Sequence, residues 1–132
     1  MSDTGPAACV VGDTARHSRS PMLHGYWIKR YGLDADYRVE EIPPGEIREF
    51  LTHLADHGYV GCNVTMPHKD VAFELSEPDE RAIAVGAANT LWLDNGRLRS
   101  TNTDIEGVLG ALDAAAPGWD QRTSEAIVLG AG

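Results

Sequence analysis

Short apolar runs alternate along this chain with segments whose apolar residues recur at helical spacing, and that order leaves few ways to build a core. Ala7-Ala8-Cys9-Val10-Val11-Gly12 reads as a buried strand closing on glycine. Ser20 and Pro21 then open a helix as N-cap and first-turn proline, with Leu23, Trp27 and Tyr31 along one face and Gly32 as its stop. Tyr37–Ile42 reads as a second strand. Pro44–Asp56 places Ile47, Phe50, Leu51 and Leu54 on one helical face and ends at His57-Gly58, ahead of a third strand, Tyr59–Val64. Repeated strand, helix, strand units require right-handed crossovers, which predicts an α/β three-layer sandwich with a mostly parallel twisted sheet.

Further along, Asp79–Val85 reads as a short helix, and Asn95-Gly96 between Thr90–Asp94 and Arg97–Ser100 signals one local antiparallel hairpin. Ile105–Ala115 carries Ile105, Val108, Leu109 and Leu112 on one helical face and stops at Pro117-Gly118. Ala126–Leu129 is strand-like and runs into Gly130-Ala131-Gly132. A strand entering a glycine turn normally feeds a helix that recrosses the sheet. The expectation is one domain over 1–116, with 117–132 as a linker and the first strand and glycine turn of another, in an amino-terminal portion of a longer protein.

Charge narrows the partners. Eleven Lys and Arg against twenty Asp and Glu give a net charge of −9, which repels phosphate backbones and anionic lipid, so neither nucleic acid nor membrane is expected. A hydrophobic fraction of 42% with 23% charged residues is that of a globular chain. No apolar window is long enough to span a bilayer and no leader pattern opens the sequence, so a cytoplasmic protein is expected. Cys9 and Cys62 each lie in an apolar run without metal-ligand spacing; both read as small buried residues, and no metal site is expected. His53 and His57 lack the companion glutamate of a metalloprotease helix and read as a solvated face.

Ligands on such sheets bind at the carboxyl ends of strands, and four polar clusters fall where those ends should be. His17-Ser18-Arg19-Ser20-Pro21 offers two hydroxyls and a helix start to an anion, although local pattern alone favours Ser20 as a plain N-cap and Ser18 as an exposed loop residue. In Asn63-Val64-Thr65-Met66-Pro67-His68-Lys69, strand alternation puts Asn63 and Thr65 on one side, with Lys69 just beyond. Asn63-Val64-Thr65 is also a glycosylation sequon, discounted in a chain without a secretory leader. Ala87-Ala88-Asn89-Thr90 enters the hairpin and Thr101-Asn102-Thr103-Asp104 leaves it, Asp104 being a candidate N-cap as well as a site carboxylate. Hydroxyls, amides, one amine and one acid suit a small polyhydroxylated ligand. A lysine beside a carboxylate can transfer a proton at a carbinol, whereas hydride needs a separate cofactor.

At these residues the sequence resembles the shikimate dehydrogenases, from about Val10 to Gly132. The resemblance rests on Asn63 to Lys69, Gly86-Ala87-Ala88-Asn89-Thr90, His17 to Pro21 and Asn102-Thr103-Asp104, in that family's order. It implies that Ser18 and Ser20 hold a substrate carboxylate, that Asn63, Thr65, Asn89 and Asp104 bind ring hydroxyls, and that Lys69 is the acid/base group paired with Asp104. Lys69 would then act as general acid when 3-dehydroshikimate is reduced to shikimate. The resemblance also implies NADP as cofactor, held by a Rossmann-type domain whose first turn would use Gly130, Ala131 and Gly132, and it leaves a homodimer open. Thr14-Ala15 stands where the family often has Pro-Ile, which bears on local loop geometry. A quinate/shikimate dehydrogenase using NAD and a non-catalytic shikimate-binding module remain alternative readings.

Overall fold

The structure, a computed structural model, describes residues 5–130. Its central element is the first apolar run: β1 (Ala7–Gly12) lies between β2 (Asp36–Glu41) and β3 (Tyr59–Val64) and pairs with both in parallel. β4 (Glu77–Pro78), β5 (Thr90–Asp94) and β6 (Arg97–Thr101) complete a sheet of order β2-β1-β3-β5-β6-β4. The sheet is mostly parallel as expected. β5 is the reversed strand, antiparallel to β6 across the hairpin and also to β3. The hairpin turn has Asn95 at φ 51° and Gly96 at φ 77°, the two left-handed positions that a tight turn between twisted strands demands. β4 has no counterpart among the sequence expectations, because two residues ending in proline leave little periodicity to read.

Six α-helices and a short 3-10 turn (Ala15–His17) accompany the sheet among the described residues: α1 (Ser20–Tyr31), α2 (Ile47–Thr52), α3 (Lys69–Leu75), α4 (Glu80–Val85), α5 (Asp104–Ala115) and α6 (Trp119–Arg122). Strand alternation sends Cys9, Val11, Cys62, Val64 and Leu91 to one face, where Ile47, Phe50 and Leu51 of α2, Ala72 of α3 and Ala82 of α4 close the core. Cys9 and Cys62 are register partners there, both buried. The adjoining Cys62 thiol and burial push the Cys9 thiol up, so it stays neutral and packs as an apolar group. The opposite face, with Val10, Tyr37, Asn63 and Thr90, is covered on one side by α1 and is otherwise left for polar groups.

One expectation needs correction, the length of α2, and three apolar segments lie open. The apolar stripes of α1 and α5 suit core faces, yet neither helix buries a residue, and Tyr31 and Val108 are 65% and 60% exposed. Helical periodicity shows that a face is fit to be covered, not which surface covers it. The helix expected to reach Asp56 stops at Thr52, and turns continue to Gly58. Residues 126–129, read from the sequence as the first strand of another domain, pair with nothing in this sheet, and Ile127, Val128 and Leu129 are exposed. A strand needs a neighbour for its backbone groups, and this run has none among the described residues. No described helix is long and apolar enough to cross a membrane.

Candidate active site

The reversal of β5 brings the four polar clusters together. β1, β3 and β6 all end at one edge of the sheet, and β5, running the other way, begins there. Backbone hydrogen bonds fasten the segments to each other: Thr65 N–H donates to Val11 O at 2.9 Å, Val64 N–H to Asn89 O at 2.8 Å, and Ala88 N–H to Lys69 O at 2.9 Å. His68 is only 1% exposed, and its Nε2 lies 2.7 Å from the carbonyl of Ile42. A carbonyl only accepts, so Nε2 carries the proton, and the buried ring pins the segment that delivers Lys69. On the other side, buried Asn102 donates to Ala87 O at 3.0 Å and accepts from Asp104 N–H at 2.9 Å, which fixes the start of α5.

Lys69 Nζ donates to Asp104 Oδ2 at 2.6 Å, and Asn89 Nδ2 donates to Asp104 Oδ1 at 3.1 Å, so both carboxylate oxygens are engaged. The lysine and aspartate side chains are 30% and 52% exposed. A pair that open to water adds about 0–1 kcal/mol of stability, so its chief effect is to aim two charged groups at the same space. Ser18 Oγ accepts from Ser20 N–H at 3.2 Å, turning both residues toward the cavity mouth at the start of α1.

All seven residues expected to bind substrate, Ser18, Ser20, Asn63, Thr65, Lys69, Asn89 and Asp104, line one cavity of about 280 Å³. The helix-cap readings of Ser20 and Asp104 give way: Arg19 and Thr103 occupy the cap positions, while Ser20 and Asp104 are the first helical residues. Two further polar residues, His24 and Thr103, share the lining, and Tyr37 reaches it through Asn63. Spacing could have flagged His24, four residues beyond Ser20 on the same helical face. Tyr37 carries no such signal, because a tyrosine in a strand is ordinarily a packing residue. A larger hollow of about 540 Å³ beside α1 is lined by Arg19, Ser20, Met22, Leu23 and Tyr26; it lacks the convergent amides and acid of the smaller cavity.

His53 and His57 stay outside the site, the first against Glu49 and the second stacked on Phe50. Of the expected nucleotide-binding turn, Gly130 is described, at φ 96°, while Ala131 and Gly132 lie outside the described residues.

Residues 10–91 match the family model of the shikimate dehydrogenase substrate binding domain. A shikimate dehydrogenase (NADP(+)) of Rhodopseudomonas palustris strain TIE-1 is 60% identical over 100% of this chain, which covers 47% of that relative. One from Nitrobacter hamburgensis is 59% identical over 97% of this chain and 45% of its own length. Among solved structures, the shikimate dehydrogenase of Aquifex aeolicus superposes with a TM-score of 0.82 at 30% identity, over 89% of this chain and 44% of that one. Shikimate 5-dehydrogenase of Thermus thermophilus, solved in complex with NADP(H) and shikimate, gives 0.75 at 32% identity, over 83% of this chain and 42% of that one. The chain thus spans about half the length of the curated relatives it matches. With the matched segment running from β1 into β5 and the site cavity built on those strands, the chain belongs to the shikimate dehydrogenase substrate binding domain family.

Proposed function

We propose that this chain is the substrate-binding part of an NADP-dependent shikimate dehydrogenase, which interconverts 3-dehydroshikimate and shikimate. The observation that carries the reading is the 2.6 Å contact of Lys69 with Asp104 on the wall of a cavity whose other polar groups are hydroxyls and amides. Residues 1–116 hold the substrate, and 117–132 lead into a nucleotide-binding domain; an exposed apolar run such as Ile127-Val128-Leu129 suits the first strand of another sheet. The cofactor, when bound, would supply the hydride as NADPH in the reduction and accept it as NADP+ in the reverse direction.

The chain's own residues bind, orient and protonate. Ser18 and Ser20 receive the carboxylate at the start of α1, where local donors must overcome a net charge of −9. Asn63, Thr65, Asn89 and Asp104 take the ring hydroxyls, in line with their places around the cavity. Lys69, an ammonium held by Asp104, donates its proton to the oxygen of the reduced carbonyl and recovers it from that hydroxyl in the reverse direction.

Titrating shikimate into the complete natural protein tests the reading: calorimetry should show one site, and no heat beyond dilution would end it. Ser18→Ala should raise KM about tenfold or more, the equivalent of ~1.5–3 kcal/mol for a hydrogen bond to a charged group, while kcat moves less than about threefold because carboxylate binding is nearly uniform through the reaction. Equal losses in kcat and kcat/KM would assign Ser18 another role. Gly12 gives a second check. A Cβ there would lie 2.4 Å from Thr65 Cγ2 and 3.3 Å from Met66 O, so Gly12→Ala must displace the Thr65 side chain. Shikimate affinity should fall about 2- to 10-fold, the worth of one neutral hydrogen bond. Unchanged affinity would show that Thr65 does not touch the substrate.

A further inference from the structure

The hydrogen bonds of the site have directions that can be worked out one from the next. Thr103 N–H, which only donates, points at Asn89 Oδ1 at 3.0 Å, and the Asp104 carboxylate, which only accepts, faces Asn89 Nδ2. The orientation of that amide is therefore fixed. Thr90 Oγ lies 3.0 Å from Asn89 Oδ1 and must give its single proton there. Asn63 Nδ2, 3.2 Å from Thr90 Oγ, must then be the donor to it, which leaves Asn63 Oδ1 facing the Tyr37 hydroxyl at 2.6 Å. Tyr37 can only donate in that arrangement. Burial pushes its phenol up, so the proton stays in place throughout the physiological range.

Tyr37 is itself held. Its ring stacks on His24 with centroids 4.1 Å apart and planes 2° from parallel, and His24 Nδ1 lies 2.9 Å from the carbonyl of Ser20. The first turn of α1 is thereby joined through Tyr37 and Asn63 to the Lys69–Asp104 pair.

We infer that Tyr37, braced by His24, is a positioning residue: its hydroxyl occupies Asn63 Oδ1, so that Asn63 meets the ligand with its remaining N–H and selects a ligand oxygen that accepts. This deepens the proposed function and rests on its placing of shikimate in the cavity. Tyr37 does not need to touch the ligand, so its effect must pass through Asn63, and that separates it from a merely structural tyrosine.

The test is a double-mutant cycle in the complete natural protein with Tyr37→Phe, Asn63→Ala and the pair, reading shikimate affinity, together with the Asn63 side-chain amide resonances of the ligand-free protein. Tyr37→Phe keeps the ring and its stacking on His24. It should weaken binding about tenfold, add nothing to Asn63→Ala, and shift the Asn63 amide resonances. Additive losses, an affinity within twofold of the unmodified protein, or unmoved Asn63 resonances would each overturn the inference. A protein that binds no shikimate while its Asn63 resonances still move in Tyr37→Phe would lose the substrate reading and keep the Tyr37-directed amide.

Discussion

If the proposed function holds, Lys69→Ala in the complete natural protein should lower kcat for reduction of 3-dehydroshikimate by about 10²- to 10⁴-fold, the usual worth of a positioned general acid, with KM changed by less than about threefold. The expectation follows from where the amine is put. Lys69 opens α3, its carbonyl accepts from Ala88 N–H, and its ammonium is held on Asp104 Oδ2. Asp104 cannot drift, because Asn89 takes its second oxygen and Asn102 accepts from its N–H. A group so aimed, in an ion pair of little stabilising value, contributes most when charge develops on the substrate oxygen. Steady-state kinetics decides the matter. A kcat within threefold of the unmodified enzyme, with KM raised, would make Lys69 a binding group and move the proton donor elsewhere.

Leu51→Ala should have the opposite profile. Leu51 is 1% exposed and packs in the cluster formed by α2, α3 and the inner face of β1 and β3. Truncation removes buried methyl groups and leaves a hole that close-packed neighbours fill only in part, at about 2–5 kcal/mol out of a total of roughly 5–15 kcal/mol for a domain. The core lies on one face of the sheet, while Asn63 and Thr90 point from the other. Shikimate affinity at low temperature should stay within about twofold while the urea midpoint falls. A loss of affinity in proportion to the loss of stability would show that the two faces are coupled, and a fall below about 1 kcal/mol would mean that the site collapses around the smaller side chain.

Legibility in the sequence followed the range of the interaction involved. Tyr59–Val64 and the Asn95-Gly96 hairpin were readable because alternation and left-handed turn residues are local properties, and the seven cavity residues were readable because strand ends in such sheets collect ligand groups. Tyr37 escaped, since its role depends on a stacking contact between α1 and β2 that no spacing records, whereas the place of His24 four residues beyond Ser20 was a signal left unused. The same gap explains Ser20 and Asp104. Each has a side chain suited to capping, but each is the first residue of its helix and lines the cavity, Asp104 through its bonds to Lys69 and Asn89. The stripes on α1 and α5 were visible as stripes, yet their coverage depends on surfaces the pattern does not specify.

The turn at Asn95-Gly96 sits at the far end of β5 and β6 from the cluster that begins at Asn89 and ends at Asp104, five residues of strand away on each side, or about 16 Å. Lengthening the chain there leaves every wall of the cavity untouched. Evolution and the bench share that latitude: loop grafts, fluorophores and affinity handles belong at this tip, where a reporter can be attached without disturbing the chemistry.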